Sequence, residues 1–192
     1  GRALGGCIRY NTASLRDRGI SAAKLWVQMH RAQAGARGGQ HGMNGPAAIP
    51  GGRVPLSPAL AATLTRAADY ARSQSHGAVT LEHVLLALTE DEDAVLVLES
   101  SQVDLTRLRN DVAQFLGQQS LTGGPAGSQP APSPELLRIL DYAAAAARQS
   151  RRSQINGAIV LAAMVGDGRS MAASFLKAHG LTFEAAIRAI QQ

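Results

Sequence analysis

The sequence predicts an all-α fold in which two tandem four-helix repeats form one eight-helix domain with pseudo-twofold symmetry. Two observations support this prediction. First, Ser57-Pro58-Ala59-Leu60 recurs 76 positions later as Ser133-Pro134-Glu135-Leu136, and apolar positions continue in the same register. Second, apolar residues recur at spacings of three and four, whereas no segment keeps the period of two that a half-buried strand requires, so no strand is expected. Because a unit of about 60 residues is marginally stable alone, the two repeats are expected to share a core.

Each repeat is predicted to begin with a long helix that starts at a Ser-Pro pair. Ser57 and Ser133 offer a side-chain oxygen as N-cap. The Pro that follows suits the first helical position, because its φ is already helical and an N–H is not needed there. The alanines at 143–147 are expected to favour the helix and to pack in the core.

Three more helices are predicted in each repeat from caps and apolar spacing. The N-caps of the second and fourth helices are, in chain order, Thr80, Asp104, Asn156 and Thr182. A third helix lies between them in each repeat. His179-Gly180 marks the end of this helix in the second repeat, since Gly favours the left-handed conformation that often follows a helix.

The sequence divides into four predicted segments. Residues 1–55 form a basic N-terminal segment without stable structure apart from a helical stretch at 21–31, and residues 56–116 form the first repeat. Residues 117–132 contain seven Gly or Pro among sixteen positions, so they are predicted to hold no helix and to form an exposed, mobile linker. Residues 133–192 form the second repeat.

The positive charge of the chain is concentrated in the N-terminal segment. Residues 1–55 carry eight Lys or Arg and one Asp, a net of +7, whereas residues 56–192 carry eleven bases against thirteen acids, a net of −2. This distribution argues against nucleic-acid binding by the folded part. Three interpretations of the segment stay open: a basic arm that contacts RNA or acidic partners, an Arg-rich targeting presequence, or translated upstream sequence before a start at Met29 or Met43.

The composition is typical of a small helical protein of the cytoplasm. Cys7 is the only cysteine of this chain, so it offers neither an intrachain disulfide nor a cysteine metal cluster. No apolar run approaches the roughly 18 residues that a membrane span requires. Because only 4% of the residues are aromatic, the core is expected to consist of Ala, Leu, Val and Ile.

No catalytic or cofactor-binding motif is present. The sequence lacks GxxxxGK[ST], HExxH, CxxC and a GxGxxG after a strand, so we expect neither enzymatic activity nor a cofactor. His76 and His83 would share a helix face only if one helix ran through Gly77, and local hydrogen bonding and packing of His83 is the favoured interpretation. The acidic run at 90–93 is interpreted as a solvated helix N-terminus with a favourable dipole interaction.

The segment Thr80-Leu81-Glu82-His83-Val84-Leu85-Leu86-Ala87-Leu88 resembles the T-x-E-H-L-L-L-A-L motif of the Clp N-terminal domain. That domain is the double four-helix repeat at the front of the ClpA, ClpB and ClpC ATPases. The resemblance runs from about residue 56 to residue 192, and the second half is most similar to the ClpA type. The second repeat has Asn156-Gly157-Ala158 in place of T-E-H, so a symmetric pair of ClpC-type sites is not expected.

The resemblance implies a non-catalytic module that binds unfolded protein substrates or an adaptor such as ClpS for a Clp-type unfoldase or protease complex. It fits either a stand-alone protein or a fragment of a larger one. The residues that it implies for a partner surface are Glu82, Thr80, His83, Ser133 and Arg138. A folding role is an equal alternative for Thr80 and His83. Gly77 stands where ClpA-type domains carry an acid, which weakens the case for a ClpS-like salt bridge.

Two other classes of function stay open at the level of the sequence. The first is a nucleic-acid- or ribosome-associated protein that acts through the basic N-terminal segment. The second is an enzyme without a recognised motif. Removal of residues 1–42 separates the first class from an interaction module, because only a protein that acts through this segment would lose its binding.

Overall fold

The computed structural model describes residues 54–119 and 129–191, and eight α-helices make up most of that part of the chain. The helices of the first repeat are α1 (Pro58–Ser73), α2 (Leu81–Leu88), α3 (Glu92–Ser100) and α4 (Leu105–Gln118). Those of the second are α5 (Pro134–Gln149), α6 (Gly157–Asp167), α7 (Met171–Ala178) and α8 (Phe183–Gln191). The predicted fold of two four-helix repeats is confirmed, whereas the predictions for residues 1–53 lie outside the described residues.

None of the described helices is by itself long and apolar enough to cross a membrane. Only α6 and α7 taken together reach the required length and composition, and these two helices are bent by 97° relative to each other.

Six of the described helices begin at the predicted caps, whereas α3 and α7 begin at Asp91 and Ser170, for which the sequence gives no prediction. The hydroxyls of Ser57 and Ser133 each accept a hydrogen bond from the amide three residues later, at 3.1 and 3.2 Å. Asp104 and Thr182 accept in the same way at the starts of α4 and α8, at 3.0 and 3.2 Å. The predicted stop after α7 is also confirmed, since Gly180 has a φ of 90°, which a residue with a Cβ rarely adopts.

Two short strands tie the repeats together. β1 (Ala78–Val79) and β2 (Ala131–Pro132) pair in parallel, and Leu56 forms an isolated bridge with Ile155 at the equivalent place in the other half. The amides of both N-cap serines donate to carbonyls of the opposite repeat, at 2.7 and 2.9 Å. The prediction of no strands is therefore wrong. Strands of two residues are too short to show an alternating pattern.

Two predicted boundaries also shift. α4 continues past Gly117, so the helix enters the segment that the sequence predicts as a linker, and β2 occupies the last two residues of that segment. A single Gly near a helix end costs only about 1 kcal/mol, which neighbouring turns offset. Residues 120–128 lie outside the described ranges. At the other boundary, Val54 packs against the core and the Pro55 carbonyl accepts a hydrogen bond from the Ile155 amide at 2.7 Å, so the domain includes these two residues.

One core runs through both repeats. The buried apolar side chains form a single cluster with α6 near its centre, where eight of the eleven residues are buried. Leu85 and Leu161, at equivalent positions of α2 and α6, are fully buried. The rings of Phe115 and Phe175 join α4 to α7 edge to face, with centroids 5.5 Å apart. The repeats are therefore expected to unfold as one unit.

The acidic run at 90–93 does begin a helix, but it is not fully solvated. Asp91 is the N-cap of α3 and is only 2% exposed. Its carboxylate accepts from the Thr63 hydroxyl at 2.7 Å and from the Ala94 amide at 3.1 Å. A Cβ atom on Gly157 would overlap this carboxylate, which gives a physical reason for glycine at the start of α6.

Candidate functional site

The residues that the sequence singles out at the start of α2 are engaged inside the protein. Thr80 is the N-cap, and its amide donates to Nδ1 of the buried His83 at 3.1 Å. Because Nδ1 accepts a backbone hydrogen bond, the proton of the neutral ring is on Nε2, which donates to Nδ1 of His76 at 2.9 Å. Burial and the neighbouring His76 lower the pKa of His83 from 6.5 to about 4.

The two histidines meet although no helix runs through Gly77, because the turn after α1 brings His76 back over α2. The preferred interpretation of His83, local hydrogen bonding and packing, is confirmed. Within the described ranges no group of three or more His, Cys, Asp or Glu side chains could hold a metal ion. A buried hydrogen bond therefore joins the two rings and links the end of α1 to the start of α2.

Glu82 caps a helix of the other repeat. The resemblance places Glu82 on a partner surface, but its side chain is half-buried, and its Oε1 accepts a hydrogen bond from the Ala172 amide at 3.2 Å. That amide belongs to the first turn of α7, whose N-cap is Ser170. A carboxylate is favourable there because free amides and the helix dipole attract negative charge. Glu82 is thus engaged within the protein instead of being an unpaired carboxylate on a partner surface.

Ser133 precedes α5 and Arg138 lies in its second turn, and the two have different surroundings. Ser133 is buried as the N-cap and lies beside Thr80 through the pairing of β1 with β2. Arg138 forms an ion pair with Asp167, the last residue of α6, with a nitrogen to oxygen distance of 3.1 Å. Contact of a partner with Ser133 or His83 would require the fold to open, since both side chains are buried at helix starts. Arg138 is half-buried, and its partner Asp167 lines an open surface.

That surface is a groove between α5, α6 and α8 in the second repeat, with a volume of about 280 Å³. This volume is near the lower end of the range of roughly 300–1,000 Å³ that is typical of ligand sites. Its apolar walls are formed by Tyr142, Ala146, Ile159, Ala163, Phe183 and Ile187. Arg152, Asp167 and Arg169 supply its charged groups. Several wall residues are only half-buried, so apolar surface is accessible to a ligand.

The first repeat has larger or charged side chains at the equivalent positions. In the register of the repeats, the groove positions Tyr142, Ala146, Gly166 and Ile187 correspond to Arg66, Tyr70, Glu90 and Arg109. Oxygens of Glu90 lie 2.6 Å from an Arg109 nitrogen and 3.8 Å from Nε of Arg66. The Tyr70 ring packs near His83, with centroids 6.0 Å apart. One repeat thus carries an ion-pair cluster where the other carries an open apolar groove.

Sequence reasoning about single motifs misses this groove. The alanines at 143–147 are predicted to pack in the core, which is right for Ala143 and Ala147 but wrong for Ala146, which lines the groove. The sequence does contain a signal: the side chain at this position is smaller in the second repeat, where Ala146 stands in place of Tyr70. Comparison of the two repeats position by position would have found it.

Known proteins share both the sequence pattern and the fold. The family model described as the Clp repeat (R) N-terminal domain matches residues 55–179. A ClpA homolog protein of Fuscovulum blasticum is 32% identical over 131 residues, which are 65% of this chain but only 16% of that relative. The N-domain of ClpV from Vibrio cholerae has a TM-score of 0.61 and 21% identity, covering 78% of this chain and 92% of that one. A complex of a ClpV N-domain with a VipB peptide has a TM-score of 0.56 and 20% identity, covering 76% and 90%.

The matched residues contain the first repeat, the first three helices of the second and the backbone contacts that join the two. They run from the carbonyl of Pro55, which accepts from the second repeat, to the C-cap of α7 at His179. The duplicated Ser-Pro starts and the Thr80-to-Leu88 motif lie inside this range. The chain therefore belongs to the Clp repeat N-terminal domain family.

Proposed function

We propose that this chain is a non-catalytic interaction module that binds an apolar peptide segment of a substrate or adaptor protein for a Clp-type unfoldase. The binding site is the groove between α5, α6 and α8. One observation carries the proposal: the second repeat leaves apolar surface open at the positions where the first repeat has the side chains of Arg66, Glu90 and Arg109.

The apolar surface and the small size of the groove favour a peptide as its occupant. Exposed apolar surface is unfavourable in water and gains free energy when a partner covers it. A groove of 280 Å³ is too small for a folded domain but accepts apolar side chains of an extended or helical segment. The same fold carries a VipB peptide in a ClpV N-domain, which supports peptide binding by this chain.

An adaptor of the ClpS type is a narrower proposal with less support. The acid expected to meet a basic group of such an adaptor is Glu82, and it already accepts a hydrogen bond from the Ala172 amide. A substrate or adaptor segment in the groove requires no change in that contact. Binding through the groove and binding through Glu82 are therefore separable by mutation.

The substitution Ala146→Tyr tests the groove. It introduces the side chain that the first repeat has at this position, and the fold should tolerate it because Ala146 is only half-buried. Exclusion of one Leu-sized side chain removes about 1.5–3 kcal/mol of burial, so we expect affinity for an apolar peptide to fall about tenfold or more. Fluorescence anisotropy with labelled apolar peptides from an unfolded model substrate such as casein measures this change.

The matched control is Ala62→Tyr, the same substitution at an exposed position of α1. This control should bind like the wild type, and circular dichroism should show that all three proteins are folded. Equal affinity of Ala146→Tyr and the wild type would place the binding surface elsewhere. Absence of binding by every folded variant would leave the interaction function without support.

A further inference from the structure

The two repeats differ strongly in charge. Residues 54–119 carry four Arg against nine Asp or Glu, a net of −5, whereas residues 129–191 carry seven Lys or Arg against four acids, a net of +3. The groove lies in the basic repeat. Its occupant therefore meets a positive surface.

The charge balance at the groove itself has the same sign. Asp167 is the one acid among its lining residues, and it is paired with Arg138 at 3.1 Å, so its charge is compensated. Arg152 and Arg169 line the groove and are both exposed. Arg152 donates to the Ile190 carbonyl at 2.8 Å, which fixes its guanidinium at the end of α8. Arg169 makes no side-chain hydrogen bond or ion pair within the described residues, so its charge is available to a ligand.

The other charges on α5, α8 and the turn after α5 are Glu135, Asp141, Arg148, Arg151, Glu184 and Arg188, three of each sign. The helix α3 packs against α6 and α8 and carries three acids, Glu92, Asp93 and Glu99, but they are not among the residues that line the groove. The uncompensated charges that line the groove are those of Arg152 and Arg169. From this balance we propose, on the basis of the proposed function, that the groove selects peptide segments in which acidic residues flank an apolar anchor.

Charge also favours an acidic peptide in the groove over a neutral peptide or the basic N-terminal segment of this chain. The N-terminal segment of the same chain has a net charge of +7 and would be repelled by the two arginines. Two exposed ion pairs together favour an acidic over a neutral flank by about 2- to 30-fold. This preference should weaken with salt, because the Debye length falls to about 3 Å at 1 M ionic strength.

The test compares two labelled peptides with one apolar anchor, flanked by Glu in the first and by Lys in the second. The wild-type chain should bind the Glu-flanked peptide about 5- to 10-fold more tightly at low salt, and the difference should nearly vanish at about 1 M salt. Arg169→Glu should remove or reverse the preference. The control Arg107→Glu makes the same change of charge at an exposed position of α4 and should leave the preference intact.

The outcomes separate this inference from the function on which it rests. If the wild type binds both peptides equally and Ala146→Tyr weakens both, the groove binds peptides but charge selection is overturned. If neither peptide binds at any salt concentration, the proposed function fails and the selection with it. A dimer in analytical ultracentrifugation that Arg169→Glu dissociates would assign the groove to the acidic repeat of a second copy and overturn the peptide assignment.

Discussion

Acidification is expected to destabilise this domain through His83. The ring is fully buried, its Nδ1 accepts from the Thr80 amide, and its pKa is lowered from 6.5 to about 4 by burial and by the neighbouring His76. One unit of pKa corresponds to about 1.4 kcal/mol, so the difference between the folded and unfolded states is worth about 3 kcal/mol. Because the unfolded chain takes up the proton first, this stability is present above pH 6.5 and is lost as the pH falls toward 4.

The matched variant is His83→Ile. Ile159 occupies the equivalent position of α6, so an Ile side chain suits this place in the fold. The variant leaves the Thr80 amide without its acceptor, at a cost of about 1–3 kcal/mol that does not depend on pH. Urea unfolding at pH values from about 7.5 to about 4 should show that the wild type loses about 3 kcal/mol more than the variant.

Other titrating groups do not remove this difference in pH-dependent stability between the wild type and His83→Ile. Burial also lowers the pKa of His76, which adds a loss of the same sign, and His76 remains in the variant. The pKa of Asp93 is raised by burial and by Asp91, so its protonation stabilises the folded state and acts in the opposite direction in both proteins. Parallel pH dependences of the two proteins would refute the assignment of His83 as a buried neutral ring.

Two further predictions concern contacts between and within the repeats. Gly157→Ala should lower the free energy of unfolding by about 1–3 kcal/mol, because the new Cβ overlaps Asp91. In contrast, Gly117→Ala should raise the free energy of unfolding by about 0.5–1 kcal/mol, because nothing lies within 4 Å of a Cβ at that position. Urea denaturation checks the pair, and equal signs would contradict the account of Gly157. Glu82→Lys should cost about 1–3 kcal/mol through the lost hydrogen bond to Ala172 and the reversed dipole interaction, and Glu82→Gln less. An unchanged melting temperature would show that Glu82 is free for a partner after all.

Local signals account for what the sequence predicts correctly. The Ser-Pro starts and the caps at Asp104 and Thr182 depend on residues within one helical turn, so they can be recognised without a structure. The duplication adds a second, independent copy of each signal. For this reason the number and order of the helices, and the starts of six of them, follow from the sequence, whereas the caps of α3 and α7 do not.

Contacts between distant residues account for what the sequence does not predict. The Ala172 amide that Glu82 accepts from is 90 positions away, and Asp167 is 29 positions from Arg138. The strand pairing also joins segments of different repeats. The groove is harder still to predict, because Ala146 reads as an ordinary helical alanine until it is compared with Tyr70.

The groove arises from divergence that the shared fold permits. The repeats hold each other through helix starts: Glu82 caps α7, and Asp91 packs against Gly157 at the start of α6. The hydrogen bonds from the Ser57 and Ser133 amides to the opposite repeat recur on both sides of the pseudo-twofold axis, and together these contacts fix the arrangement of the helices. The groove side chain of Ala146 is not part of them, and it can change with little effect on the fold. In the proposed function, the difference between the halves carries binding, so Ala146→Tyr, which reduces that difference, should fold normally and bind an apolar peptide about tenfold or more weakly.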